Sequence, residues 1–266
     1  MTEPLLYEQS GGIVTLTINR PEERNALSDD LIFDAFINAA NRINLDNSVR
    51  CVILTGKGRA FSAGGNVKHM RDREGLFAGT PTELRQSYRH GIQKIPLAFY
   101  NLEVPTIAAV NGPAVGAGCD LACMCDIRIA GASAKFAESF VKLGIIPGYG
   151  GAWFLPRTIG RSRAAELTFT GEMIDAETAL EWGLVSKVVS DDELMAAAND
   201  LAGRIAKNPP HALRLAKKLM REGEHTRLDS LLELSASFQA LSHHTEDHME
   251  AIEAFFDKRD GDFKGK

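Results

Sequence analysis

The sequence predicts an α/β protein: a mostly parallel sheet flanked by helices, followed by a helical C-terminal region. Three observations carry this. Short apolar runs closed by glycine or proline alternate with stretches of helical periodicity through the first two thirds of the chain. The strand–helix–strand order calls for crossover connections and hence parallel pairing. Beyond Asp191 the pattern becomes almost wholly helical.

Taken in order, "IVTLTINRP" from Ile13 alternates apolar and polar residues and reads as a strand ending at Pro21. "LSDDLIFDAFINAANRI" reads as a helix with Ser28 as its N-cap and two acids in its first turn. "VRCVILTG" is a short buried strand, and "PTIAAVNG", "DIRIAG" and "AKFAE" read the same way. The segment from Phe77 to Leu102 is helical but polar and mixed, suited to covering a site. "DAETALEWGLVSKVV" reads as helix, glycine stop and strand. Three helical patterns follow, the last crossed by a histidine-rich patch. The expected division is a core over 1–195 and a helical region over 196–266.

With 266 residues, 44% hydrophobic and 24% charged, the composition is that of an ordinary globular protein. A net charge of −5 gives no basic footprint for nucleic acid. No apolar run is long enough to cross a bilayer, so no membrane partner and a cytoplasmic location are expected. Cys119, Cys123 and Cys125 crowd as C-x3-C-x-C among Leu121, Ala122 and Met124. Paired knuckles and nearby histidines are lacking, so they read as small buried side chains rather than a metal site.

Two runs of small residues carry the chemistry. "NGPAVGAGCDLACMCD" has the order strand, Asn-Gly turn, then Gly116-Ala117-Gly118 opening a helix. The first turn of a helix leaves backbone N–H groups unpaired, and small residues let a ligand approach them. "FSAGGNVKHM" repeats this logic after a strand, with Ala63, Gly64 and Gly65 able to expose a second N–H. Two such donors aimed at one oxygen make an oxyanion hole. Other motifs fail: Gly116-x-Gly118 lacks a third glycine, "GASAK" is not a nucleophile elbow, and "HHTEDHME" lacks the order of a zinc helix.

These stretches, with "NRPEERNAL", "AKFAESFVKLGIIPGYGGAWFLPRTIG" and "AFFDKR", resemble the crotonase superfamily, the enoyl-CoA hydratase/isomerase family, over nearly the whole chain. The resemblance implies a spiral of ββα turns, a homotrimer or homohexamer, and an acyl-CoA thioester substrate, with no cofactor beyond the coenzyme A of the substrate. It implies that the amides of Ala63 and Ala117 hold the thioester oxygen, the family pattern having glycine at the second position. It implies that Arg24 faces CoA phosphates, with Ala26 and Leu27 near the adenine. Gly65, Asn66 and Val67 would border the same ligand, and Phe255 and Lys258 would reach the CoA of a neighbouring subunit.

The acid/base positions depart from the family. Of the two glutamates of its hydratases, one is matched by Asp120 and the other by Phe140, and a third acid position is matched by Gly148. Hydration needs a proton delivered to one carbon and water activated at the next, whereas moving a double bond needs one base. Asp120 as sole matched acid therefore favours proton shuttling. Glu138, two residues before Phe140, would share its face on a strand and supply a displaced carboxylate; otherwise it is a surface or capping residue. Tyr149 either donates a proton or lines the acyl pocket. The alternatives to a hydratase or isomerase are an acyl-CoA binder with decayed catalysis, or dehalogenation or C–C cleavage involving His69 or His90.

Overall fold

The structure, a computed structural model, describes residues 3–266. Nine strands form two sheets: β1 Leu5–Ser10, β2 Ile13–Ile18, β3 Cys51–Gly56, β4 Thr106–Val110, β5 Ala114–Val115, β6 Ile127–Gly131, β7 Lys135–Ala137, β8 Met173–Asp175 and β9 Lys187–Val189. The six-stranded sheet has the order β1-β2-β3-β4-β6-β9 and the three-stranded sheet β5-β7-β8. In the large sheet every pairing is parallel except β1 with β2, a hairpin that the pattern before Ile13 had not suggested. Gly11, at φ +54, turns it.

The strands are buried because both faces of the sheet are covered. Along β3, Val52 and Leu54 enter the main core under helix Asp30–Leu45, while Cys51 and Ile53 face Leu194, Ala198 and Ala202. Helix Leu194–Ala206 thus closes the second face, and the expected division at 195/196 cuts through it. All four cysteines are buried and free.

Helix Asp30–Leu45 is capped by Asp29, whose carboxylate accepts from the Ile32 N–H at 3.2 Å and pairs with Arg20. Ser28, the expected cap, instead accepts from the Asn66 N–H through Oγ at 2.6 Å. The tail forms four helices, Leu194–Ala206, Pro210–Glu222, Leu228–His243 and Glu246–Asp257. The fourth arises because Thr245 caps a new start, its hydroxyl accepting from the His248 N–H at 3.1 Å. Arg214 ties the tail to the core by donating to the Asp46 carbonyl at 2.9 Å. The covering segment contains helices Pro81–His90 and Lys94–Tyr100.

Candidate active site

The first small-residue stretch is zipped to Arg24–Ser28. The Ser62 hydroxyl donates to the Asn25 carbonyl at 2.8 Å, and the Leu27 N–H to the Gly64 carbonyl at 2.9 Å. The Ala63 N–H donates to the Arg24 carbonyl at 2.9 Å, so it is not free to bind a ligand oxygen as expected. Gly64 N–H reaches the Ser62 hydroxyl at 3.2 Å and Asn66 N–H is held by Ser28. Between Ser62 and Asn66 the amide left without a partner among the described residues is that of Gly65. Arg24 and Asn25 adopt φ of 53° and 59°, uncommon for side-chain-bearing residues, and this turn is what presents the Arg24 carbonyl to Ala63. Asn25, fully buried, locks it by donating to the Ala60 carbonyl at 2.7 Å.

The second stretch follows β5 into helix Ala117–Met124, whose first backbone bond runs from the Asp120 N–H to the Gly116 carbonyl at 3.0 Å. The Ala117 N–H precedes it and carries no partner among the described residues. The bridge between Ser62 and Ala114 sets the two stretches side by side. Gly64, at φ +77, is what lets them touch: a Cβ there would stand 2.5 Å from the Val115 carbonyl oxygen and 3.0 Å from the Ala117 nitrogen. Covalent geometry then keeps the Gly65 and Ala117 nitrogens within about 7 Å of each other.

Two carboxyl groups lie beneath the helix start. Asp120 and Glu138 are both buried, and none of their four oxygens has a protein hydrogen-bond partner within normal geometry. Gly151 is wedged against both. A Cβ on Gly151 would lie 2.0 Å from Asp120 Oδ1 and 3.0 Å from Glu138 Oε1, so these oxygens are at most 5.0 Å apart. Glu138 does not share a strand face with Phe140. The chain leaves β7 at Ala137 and enters a 3-10 turn, Ser139–Leu143, which swings Glu138 inward.

Burial raises the Asp120 carboxyl to about 6. Burial and then the neighbouring Asp120 charge push Glu138 far higher. The two therefore titrate as one unit that keeps a proton on Glu138 at neutral pH while Asp120 is ionised. Tyr149 is buried beside them with no partner for its hydroxyl, and burial followed by the Asp120 charge holds it as the neutral phenol. The Phe140 ring stands at the mouth, 3.5 Å from where a Gly116 Cβ would lie.

The other candidates are dispersed. Arg24 is exposed at the rim. Leu27 belongs wholly to the core, so its side chain offers no ligand surface, and Ala26 is also buried. Asn66 caps the short helix Val67–Asp72 by accepting from the Lys68 N–H at 3.0 Å, and Val67 is exposed. His69 sits in that helix, 3.4 Å from the Asn66 amide. Phe255 is exposed and Lys258 ends the last tail helix at φ 54°. Among the described residues no three His, Cys, Asp or Glu side chains converge as metal ligands, and no helix is long and apolar enough to cross a membrane. Gly65 as the free amide and Gly151 as the wedge were not singled out for these roles by sequence reasoning. The doubled glycines at Gly64-Gly65 and Gly150-Gly151 were the available signal.

A family model described as enoyl-CoA hydratase/isomerase matches residues 8–266. The chain is 38% identical to 1,2-epoxyphenylacetyl-CoA isomerase of Escherichia coli K12, covering 100% of both chains. It is 37% identical to crotonyl-CoA hydratase of Syntrophomonas wolfei, covering 99% of each. Among solved structures, an enoyl-CoA hydratase from Bacillus anthracis superposes with a TM-score of 0.92 at 35% identity, over 99% of this chain and 100% of that one.

Proposed function

This chain belongs to the enoyl-CoA hydratase/isomerase family of the crotonase superfamily, and we propose that within it the protein moves the double bond of an enoyl-CoA by a one-base proton shuttle. It is an enzyme of hydratase/isomerase type acting on acyl-CoA thioesters. In the proposed mechanism the Gly65 and Ala117 amides receive the thioester oxygen. Ionised Asp120 takes a proton from carbon 2 of a 3-enoyl chain, the amides stabilise the resulting dienolate, and the proton returns at carbon 4. The positive end of helix Ala117–Met124 favours the oxyanion further. Glu138 stays protonated and keeps the charge of the pair at one.

The observation that carries this reading is a buried carboxyl pair without hydrogen-bond partners near two free amides, with Phe140 where the family's hydratases have a second glutamate. A second reading, hydration, is favoured by the proton on Glu138: Asp120 would activate water and Glu138 would protonate carbon 2. Crotonyl-CoA and a 3-enoyl-CoA, followed by the absorbance of the conjugated thioester, separate the two. Turnover of the 3-enoyl substrate alone supports isomerisation, and hydration of crotonyl-CoA at a comparable rate supports the second reading. Binding without turnover of either, unchanged in Asp120→Asn, would leave only an acyl-CoA binder.

The reaction draws on no cofactor beyond the CoA of the substrate. Arg24 at the rim meets its phosphates, while Asn66 and Val67 border it. The tail leaves Leu228, Leu232, Met249 and Phe255 exposed. Their burial against other copies in a trimer or hexamer would bring Phe255 and Lys258 to a neighbour's CoA.

A further inference from the structure

Asn25 is fully buried, although the preceding Arg24 is exposed at the rim. Main chain engages the oxygen and both amide protons of its side chain. Oδ1 accepts from the Arg20 N–H at 3.0 Å, and Nδ2 donates to the Lys57 carbonyl at 3.0 Å and the Ala60 carbonyl at 2.7 Å. The reversed amide would set its oxygen against two carbonyls, so the bonds fix its direction. Gly56 leaves the room: a Cβ there would stand 2.7 Å from Asn25 Nδ2. One side chain thus fastens the turn after β2 to the loop after β3.

The two carbonyls of that turn set the amides of the first small-residue stretch. The Arg24 carbonyl accepts from the Ala63 N–H. The Asn25 carbonyl accepts from the Ser62 hydroxyl, and that hydroxyl takes the Gly64 N–H. Both carbonyls are aimed by positive φ, 53° at Arg24 and 59° at Asn25. Asparagine enters this region readily; arginine does not, so its neighbours must hold it there. Without the Asn25 side chain the turn is free to return to negative φ. The Arg24 carbonyl then leaves Ala63, and a second unpaired N–H appears two residues before Gly65.

We propose that Asn25 is a positioning residue of the oxyanion hole: its side chain holds the left-handed turn that occupies Ala63 and leaves Gly65 as the donor. The inference rests on the reading that the Gly65 and Ala117 amides receive the thioester oxygen. Asn25 is buried and touches no substrate, so it acts only through the turn. Its loss misplaces a donor whose worth is greatest in the transition state, and the effect therefore falls on kcat more than on binding.

The test binds butyryl-CoA labelled with carbon-13 at its carbonyl and reads the carbonyl stretch by infrared difference spectroscopy. Wild type is expected to lower this frequency below that of the free thioester, because the two donors polarise the carbonyl. Asn25→Ala is expected to lose at least half of that shift. On the enoyl-CoA that wild type turns over it is expected to lose tenfold or more in kcat, with KM within fivefold. Asn25→Gly serves if the alanine variant does not fold, because glycine accepts φ 59° without strain; lacking the same three bonds, it is expected to show the same split. A lowered unfolding midpoint with the carbonyl shift and kcat intact would mean a merely structural role and overturn the proposal. So would a raised KM with kcat unchanged, which would confine the turn to holding CoA. If wild type shows no carbonyl shift, the two-amide reading fails, and amide hydrogen exchange decides Asn25 separately. An Ala63 N–H that is protected in wild type and exchanges at least tenfold faster in the variant sustains its hold on the turn; equal protection overturns it.

Discussion

Replacing Gly64 by alanine perturbs the point where the first stretch meets the start of the second stretch's helix. The substitution has two effects that the structure separates. At φ +77 a side chain costs about 1–2 kcal/mol of backbone energy. In addition, the new methyl would overlap the Val115 oxygen at 2.5 Å and the Ala117 nitrogen at 3.0 Å, so the Gly65 amide must move off the helix start. Losing one donor of an oxyanion hole lowers kcat about 10²–10³-fold. Gly183 supplies the control, because it has φ +76 with nothing within 4 Å of a Cβ. Gly183→Ala is expected to lose about 1 kcal/mol in urea unfolding and keep its kcat. Gly64→Ala is expected to lose about 3 kcal/mol and at least a hundredfold in kcat on the enoyl-CoA that wild type turns over. A folded Gly64→Ala enzyme with kcat within threefold of wild type would refute the argument that this contact forms the hole.

Phe140→Glu places a carboxyl at the mouth beside Gly116, where Phe140 now stands. It is expected to raise crotonyl-CoA hydration about tenfold or more, read as loss of conjugated-thioester absorbance, and an unchanged rate would speak against Phe140 as the residue that withholds hydration. A second prediction concerns stability against pH. The Asp120 carboxyl titrates at about 6 in the folded chain and near 3.8 when unfolded. Its contribution is thus fullest below about 4 and declines as pH rises through about 6. Asp120→Asn should lose less stability than wild type as pH rises from 4 to 8 in urea unfolding, and parallel stability curves would show that burial does not strain this group.

The sheet was legible because period-two burial and glycine-closed apolar runs are local properties. Val52 and Leu54 against Cys51 and Ile53 show that alternation directly. The β1 strand was missed although Gly11-Gly12 between two alternating runs is a hairpin signal. The break before the last helix was written in Thr245-Glu246-Asp247, a cap followed by acids, and was read only as an interruption. That the two small-residue stretches carry free amides was legible, but which amide of the first stretch is free was not. Whether Ala63 or Gly65 is free depends on the Arg24 carbonyl, brought alongside by a left-handed turn that only tertiary structure reveals. Glu138 was expected near the site for a reason that fails, a strand face; a 3-10 turn brings it there instead. Asp120 followed from the family resemblance, which matches it to one of the two glutamates of the hydratases.

Deuterium exchange at carbon 2 of a saturated acyl-CoA in heavy water reads enolisation itself, whatever reaction follows it. The account predicts that wild type exchanges this position, with a rate that rises with pH through about 6. Asp120→Asn should lose the exchange about a hundredfold or more while still binding the thioester. Exchange by Asp120→Asn at the wild-type rate would contradict the assignment of the base, and with it the mechanism.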